Sequence, residues 1–539
     1  MIRFATRVIL LLICLLSLIF LCKANAEAPD DATEALNQRV AAKIERVEQN
    51  ARQWAASGRD TSAIGKTMEE NVKPLLQTGK FSEAEVELDR VLEQLSQGIP
   101  RPAEKENLHN LIVRKGMDSA NDAHDVAYLV FMPPLPGAGP TPALFSHSIQ
   151  AFAEKLGATG DGKTRQLGFG FGIPFFVSDE SAIRKAIKQG FDFAKQTDVA
   201  VHFVVDDHVK WDQRPDLWNW YDPAKKGYNP ANKKNVEWYD WEGTASKRRY
   251  LSPVGAPQPS PHMCYNSPAI LKEISRVMSQ HVGPALREEL NQLKQEHKEY
   301  LFAGITVGAE AGFDDYSVVP TVSQIQSQLS SNDPMHVQML KMLMAAAKLM
   351  EQDKAPHSRV GYCALTQAGY SKTNPPADIN AALAAINQQF IEFWDKQFFD
   401  AGIPCSRIYT HVAACGAQDE FNNAPISVVF NPYARPGWTT YPQSVLKSGF
   451  QALYDELARH GNPTWGGVEA NAFGNPNAPG RASWETYLAW HYNHGAKLVS
   501  INVGATDQWV MSYLSKGAYG SEAMAAYRKF LRGERLIEK

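Results

Sequence analysis

Two glutamates stand in the same unusual surroundings. The apolar run Leu301–Val307 closes on Gly308-Ala309-Glu310-Ala311-Gly312, and Thr464–Val468 closes on Glu469-Ala470-Asn471. A carboxyl set among glycine and alanine at the end of an apolar strand is partly withdrawn from water, which raises its pKa, and its small neighbours let another molecule approach. Two such groups in one place divide into a protonated acid and an ionised partner, because burial and like-charge repulsion push their pKa values apart. Cleavage of an acetal bond needs that pair: a proton for the leaving oxygen and a carboxylate for the cationic carbon left behind. A plainer role, a salt bridge from each glutamate to a rim arginine, uses the same residues.

Other apolar runs also end on polar groups. Val199–Val205 is followed by Asp206, Asp207 and His208, Arg407–Val412 carries Tyr409 and His411, and Leu498–Val503 contains Asn502 with Trp509 just beyond. The Asp206–Asp207 pair can bind hydroxyl groups or shape a turn, and with His208 it offers a distant reading as metal ligands. No H-E-x-x-H, paired C-x-x-C, phosphate-loop or G-x-S-x-G motif occurs in the chain, so no metal or organic cofactor is expected.

These residues need a frame. After Asp125, short runs rich in β-branched and aromatic residues alternate with longer amphipathic stretches, the pattern of βα units around a parallel sheet. The runs are Val126–Met132, Gln166–Phe171, Val199–Val205, Leu301–Val307, Arg359–Leu365, Arg407–Val412, Thr464–Val468 and Leu498–Val503, with Ile426–Phe430 as a competitor. Helical stretches lie between them at Glu180–Gln196, Ala269–Glu299, Met335–Gln352, Ala377–Ala401, Tyr441–His460, Ala482–His494 and Glu522–Leu531. Eight strands in this alternation predict an α/β fold, a (β/α)8 barrel over residues 119–539, whose chemistry belongs at the C-terminal strand ends.

On this frame the chain resembles the retaining glycoside hydrolases of clan A, the 4/7 superfamily. Glu310 closes the fourth expected strand and Glu469 the seventh, the places where that clan carries its acid/base and its nucleophile. The resemblance implies cleavage of an oligosaccharide or polysaccharide, with Tyr409 or His411 supporting the nucleophile. The clan has asparagine before the acid/base, and here Ala309 stands there; Asn471 or Asn502 is the candidate substitute. That departure keeps a second expectation open, a catalytically silent barrel that binds glycan.

Binding has its own candidates. The segment from Lys210 to Met263 carries Trp211, Trp218 and Trp220 among Asp, Asn and Arg, a composition suited to stacking on sugar rings and bonding their hydroxyls. The alternative is that these tryptophans fasten the segment to the barrel. A second stretch, Asn431–Tyr441, offers Arg435 and Trp438 as an opposite wall.

Composition and the N-terminus complete the reading. The chain has 539 residues, 44% of them hydrophobic, and a net charge of −3 from 55 basic and 58 acidic residues. No basic excess exists to displace phosphate counterions, so nucleic acid is not an expected partner. Arg3 and Arg7, the apolar run Val8–Leu21 and Ala24-Asn25-Ala26 read as a signal peptide over residues 1–26, predicting an exported protein, periplasmic or secreted, with no stable membrane span once the leader is cut. Residues 27–118 read as an α-helical region with Ser82 as an N-cap completed by Glu85, a place for a protein partner to dock. Export leaves Cys264, Cys363, Cys405 and Cys415, whose spacings predict no particular bridge.

Overall fold

The computed structural model describes residues 62–97, 125–132, 152–205, 210–250, 257–308, 311–329, 334–413, 425–440, 447–470, 482–502 and 520–538, with single helical positions between Leu36 and Ala51. The leader expected over residues 1–26 lies outside this set, and among the described residues no helix is long and apolar enough to cross a membrane. The chain divides into two compact units, Met1–Leu108 and His109–Lys539.

In the first unit, a helical run from Ser62 to Gln77, with a π turn at Met68–Val72, is followed by the helix Phe81–Gln97. Ile64, Met68, Val72 and Leu76 recur every fourth residue and bury one stripe against Ala84, Leu88 and Val91. Gly79 makes the turn between them with φ +72°, and the Lys80 amide donates back to the Leu75 carbonyl at 2.9 Å, so the orphan carbonyls of the first helix are satisfied. Ser82 falls inside the second helix rather than before it, and Glu85 is engaged by Arg39 and Lys43 instead of completing a cap.

The second unit is the (β/α)8 barrel. Its strands are β1 (Ala127–Met132), β2 (Arg165–Gly172), β3 (Ala200–Val205), β4 (Phe302–Val307), β5 (Ile408–Thr410, continued beyond His411 as Val412–Ala413), β6 (Gly437–Thr440), β7 (Trp465–Ala470) and β8 (Ala496–Asn502). Every ladder is parallel, and the ring runs through β8 against β1 and closes where the two pieces of β5 pair with β4 and β6. Helices Ser181–Thr197, Pro334–Asp353, Ile379–Asp400, Lys447–Arg459, Trp484–Tyr492 and Ser521–Leu531 lie between the strands, as does the longer helical run from Pro268 to Gln295.

Two expected strands change places. Arg359–Leu365 is no strand: Gly361 turns the chain at φ +127° and Tyr362–Gln367 follows as a short helix with Cys363, Ala364 and Leu365 buried. Gly437–Thr440, read as loop, is β6, and Ile426–Val429 is a 3₁₀ turn. A short apolar run does not distinguish strand from helix by periodicity, and the run over 359–365 has no neighbouring strand to pair with. The expected sixth strand is therefore the fifth, while the strand carrying Glu469 remains the seventh.

The barrel interior is a packed core. Val126, Tyr128, Val130, Ala200, Ala303, Tyr409, Val468 and Leu498 form one cluster inside the ring, separate from the layer between strands and helices. Gly466 faces inward because a Cβ there would lie 2.8 Å from the Tyr409 ring, and Gly467 faces outward, where a Cβ would lie 2.7 Å from His491.

Candidate active site

Strict alternation along β7 would defeat the site. Gly466 points in and Gly467 out, Val468 joins the interior cluster, and the next residue should face the helices. The ladder breaks there. Trp438 pairs with Gly467 but Thr439 pairs with Glu469, and on the other side Val499 pairs with Gly467 while Ile501 pairs with Ala470. This β-bulge gives Val468 and Glu469 the same inward sense and turns Ala470 into the outer layer. Glu469 thereby enters the mouth at the C-terminal ends of the strands, its side chain 20% exposed.

His411 is the residue that meets it. The β5 strand breaks at His411, whose imidazole is almost fully buried and reaches three neighbouring strand ends. Nδ1 lies 3.0 Å from the Gly308 carbonyl beyond β4, and Nε2 lies 2.9 Å from Thr439 Oγ1 on β6 and 3.4 Å from Glu469 Oε2 on β7. A carbonyl only accepts, so Nδ1 carries a hydrogen and donates to Gly308. Nε2 is then the atom facing Glu469. The Thr439 hydroxyl is the nearer partner of Nε2 and can donate to its lone pair or accept its hydrogen, while the Glu469 carboxylate oxygen stands 3.4 Å away at ion-pair distance.

Glu310 lies outside the described residues, but the backbone on both sides of it is fixed. Gly308 N donates to the Val205 carbonyl at 2.9 Å, and its own carbonyl holds His411. On the other side, Asn387 donates to the Ala311 carbonyl at 2.7 Å, and Gly312 is held through its amide and carbonyl by the Tyr265 hydroxyl. Asp314 then takes both arms of the buried Arg249 guanidinium at 2.7 Å, with the Tyr316 hydroxyl as a further donor. The excursion after β3 thus holds Gly312 and Asp314, the residues that follow Glu310 in sequence.

Several expected binding residues have other duties. Trp211 is 1% exposed and donates its indole N–H to the Pro261 carbonyl; Trp218 is 5% exposed and donates to the Trp211 carbonyl. Trp220 is partly buried and donates to the Ser246 carbonyl at 3.2 Å. These indoles fasten the excursion to itself, and those of Trp211 and Trp218 have no open face for a sugar. Trp438 points outward from β6, packs on Phe430 and Trp465, and donates to the Ile426 carbonyl. Tyr409 fills the barrel interior, and Arg435, which precedes β6, lies at the opposite end of the barrel from Glu469. Its guanidinium donates to the Ser406 carbonyl, the Tyr409 hydroxyl and Asp125. Asn502 closes β8 opposite Met132 of β1. Asp206, Asp207, His208, Asn471 and Trp509 lie outside the described residues.

Thr439 was not singled out from the sequence, since a short Gly-Trp-Thr-Thr strand offers no alternation to read. Among the described residues no cluster of three His, Cys, Asp or Glu side chains is arranged to hold a metal ion.

No protein-family model and no curated protein matches the chain. Among solved structures, it is similar to PbGH5A, a glycoside hydrolase family 5 enzyme from Prevotella bryantii B14, at 9% identity and a TM-score of 0.36 over 76% of this chain and 98% of that one. A broad-specificity GH5-4 endoglucanase from an uncultured bacterium matches at 11% identity and a TM-score of 0.33, covering 73% of this chain and 84% of the other. The β-glucosidase 1317 matches at 9% identity and a TM-score of 0.31, covering 72% and 88%. Likenesses of this size carry no argument about activity, which rests on the geometry of the mouth.

Proposed function

We propose that the chain is an exported glycoside hydrolase of the clan A kind, acting on an oligosaccharide or polysaccharide by double displacement. The observation that carries this reading is the bulge that turns Glu469 into the mouth of the barrel against His411 and Thr439. In the proposed reaction Glu310 gives its proton to the glycosidic oxygen as that bond breaks, and the Glu469 carboxylate bonds to the anomeric carbon. Water then attacks the glycosyl ester with Glu310 as base, returning Glu469 and giving a product of retained configuration. In this reading His411, with Nε2 3.4 Å from Glu469 Oε2, positions the carboxylate for attack.

The test is reducing-end release from a panel of β- and α-linked polysaccharides, with the product anomer followed by NMR. Retention, lost in both Glu469→Gln and Glu310→Gln while the fold persists, is the expected outcome. Inversion would replace double displacement by single displacement, and full activity in either variant would remove the two-carboxylate reading. The second reading, a silent glycan-binding barrel, is favoured by Ala309 where the clan has asparagine. Glycan binding without any release of reducing ends would establish it.

A further inference from the structure

Beneath the excursion after β3, two thiols meet. Cys264 and Cys363 are both fully buried, the first donating its S–H to Asn266 Oδ1 at 3.4 Å and the second to the Lys234 carbonyl at 3.5 Å. The Gln367 amide nitrogen lies 3.0 Å from the sulfur of Cys264 and 3.4 Å from that of Cys363, so both sulfurs crowd one atom. The segments that carry them are already joined by hydrogen bonds: the Asn266 side-chain amide donates to the Ala364 carbonyl at 2.8 Å, and the Tyr362 backbone amide donates to the Trp238 carbonyl at 3.3 Å. Cys264 also lies in sequence between His262 and Tyr265, the two side chains that meet the Gly312 carbonyl.

We propose that this pair is a disulfide site, oxidised as the chain folds in the exporting compartment. The inference rests on the export reading and not on the chemistry at Glu469. A disulfide of a thiol–disulfide oxidoreductase, or glutathione disulfide, is the oxidant. The Cys264 thiolate attacks one of its sulfurs, expelling a thiolate and forming a mixed disulfide. The Cys363 thiolate then attacks the Cys264 sulfur and expels the second. Two electrons pass to the oxidant, and the two thiol protons end on its two released thiols. Because both sulfurs are closed off in the folded chain, the oxidant acts before the excursion packs down. The bond closes a long loop between the excursion and the Tyr362–Gln367 helix, so its main effect is on the unfolded chain.

The experiment uses the whole chain produced in a bacterial host, with thiols trapped by N-ethylmaleimide at lysis and the denatured protein mapped by mass spectrometry. A parallel sample is reduced, unfolded and refolded in a mixture of glutathione and glutathione disulfide. The expected result is a linked peptide pair containing Cys264 and Cys363 in both samples. A reductant should lower the melting temperature by about 4–8 °C, to that of Cys363→Ser, and leave the variant unmoved. Trapped Cys264 and Cys363 in the refolded native protein, or a bridge between other cysteines in their place, overturns the proposal. A bridge in the refolded sample with free thiols in the cells overturns the export reading and leaves the pair standing.

Discussion

The two ends of the barrel interior are built from the same eight strands and treat charge in opposite ways. At the floor the charged side chains are matched with opposite charges, carbonyls and ring faces. Asp125 receives Arg435 at 3.2 Å and Lys497, Arg435 is also spent on the Ser406 carbonyl and the Tyr409 hydroxyl, and the Arg407 guanidinium lies 4.9 Å over the Tyr128 ring. Burial alone would raise the Asp125 pKa, but Lys497 and Arg435 outweigh it and hold the carboxyl below its usual range. At the mouth Glu469 Oε2 lies 3.4 Å from His411 Nε2, which also meets the Thr439 hydroxyl at 2.9 Å. A floor that needs only stability is neutralised by permanent cations. At the mouth the carboxylate proposed as nucleophile is set instead against an imidazole and, through it, a threonine hydroxyl.

The comparison breaks most visibly at Glu469. Glu469→Gln keeps the shape and removes the proposed nucleophile, so kcat is expected to fall by about 10³ or more. Unfolding should shift by less than about 1 kcal/mol, since the side chain is partly exposed. Assay of turnover beside urea unfolding checks both, and a large loss of stability would make Glu469 a structural group like those at the floor. Arg435→Met does the reverse. It leaves the Ser406 carbonyl and the Tyr409 hydroxyl short of a donor in a buried setting, for an expected loss of about 2–4 kcal/mol. Activity per folded molecule should be unchanged, and a fall in kcat at full folding would connect the floor to the mouth.

Much of the barrel was legible in the sequence, but this division was not, since Arg435 and Tyr409 were expected at the mouth, and each miss has a physical reason. The apolar runs of β1, β3, β4 and β8 announced themselves because strands buried on both faces are continuously apolar. The run Gly437–Thr440 did not, being four residues with a glycine, and the run over 359–365 imitated a strand until Gly361 turned the chain. These two exchanges offset each other, so Glu469 was placed on the seventh strand by a count in which the fifth and sixth were misassigned. Its inward direction could not be read at all. Alternation from Val468 points it outward, and only the register break in the ladders with β6 and β8 reverses that. The tryptophans failed for another reason. Composition gives an indole, and whether its face is open depends on where its N–H finds a carbonyl, which is a property of the folded excursion.

Between floor and mouth lies His202, which sharpens the comparison through pH. It is fully buried on β3, with Nε2 2.8 Å from Thr306 Oγ1, and burial pushes its pKa down to about 3. The unfolded chain holds this imidazole near 6.5, so below that pH the unfolded state binds the extra proton and the folded state does not. Stability from His202 is complete above about pH 6.5 and is lost as pH falls toward 3, a contribution of about 1–3 kcal/mol. His491, lowered by burial to about 4, acts in the same direction. Unfolding measured from pH 8 to 4 should show this slope, and His202→Gln should flatten part of it. An unchanged slope would mean that His202 is solvated or charged in the folded barrel.

The smallest effect is expected where the sequence first pointed to a ligand. Trp220 packs edge-on to Tyr221 at 5.5 Å, has Lys233 5.8 Å above its ring, and donates its N–H to Ser246. If its work is to fasten the excursion, Trp220→Phe keeps most of the apolar contact and removes one neutral hydrogen bond, costing about 0.5–1.5 kcal/mol. KM for an oligosaccharide substrate should stay within about twofold, because that bond is not made to substrate. A several-fold rise in KM with an unmoved melting temperature would reverse the assignment, returning this part of the excursion to the binding surface and making it a third region, aromatic where the mouth is acidic and the floor is paired.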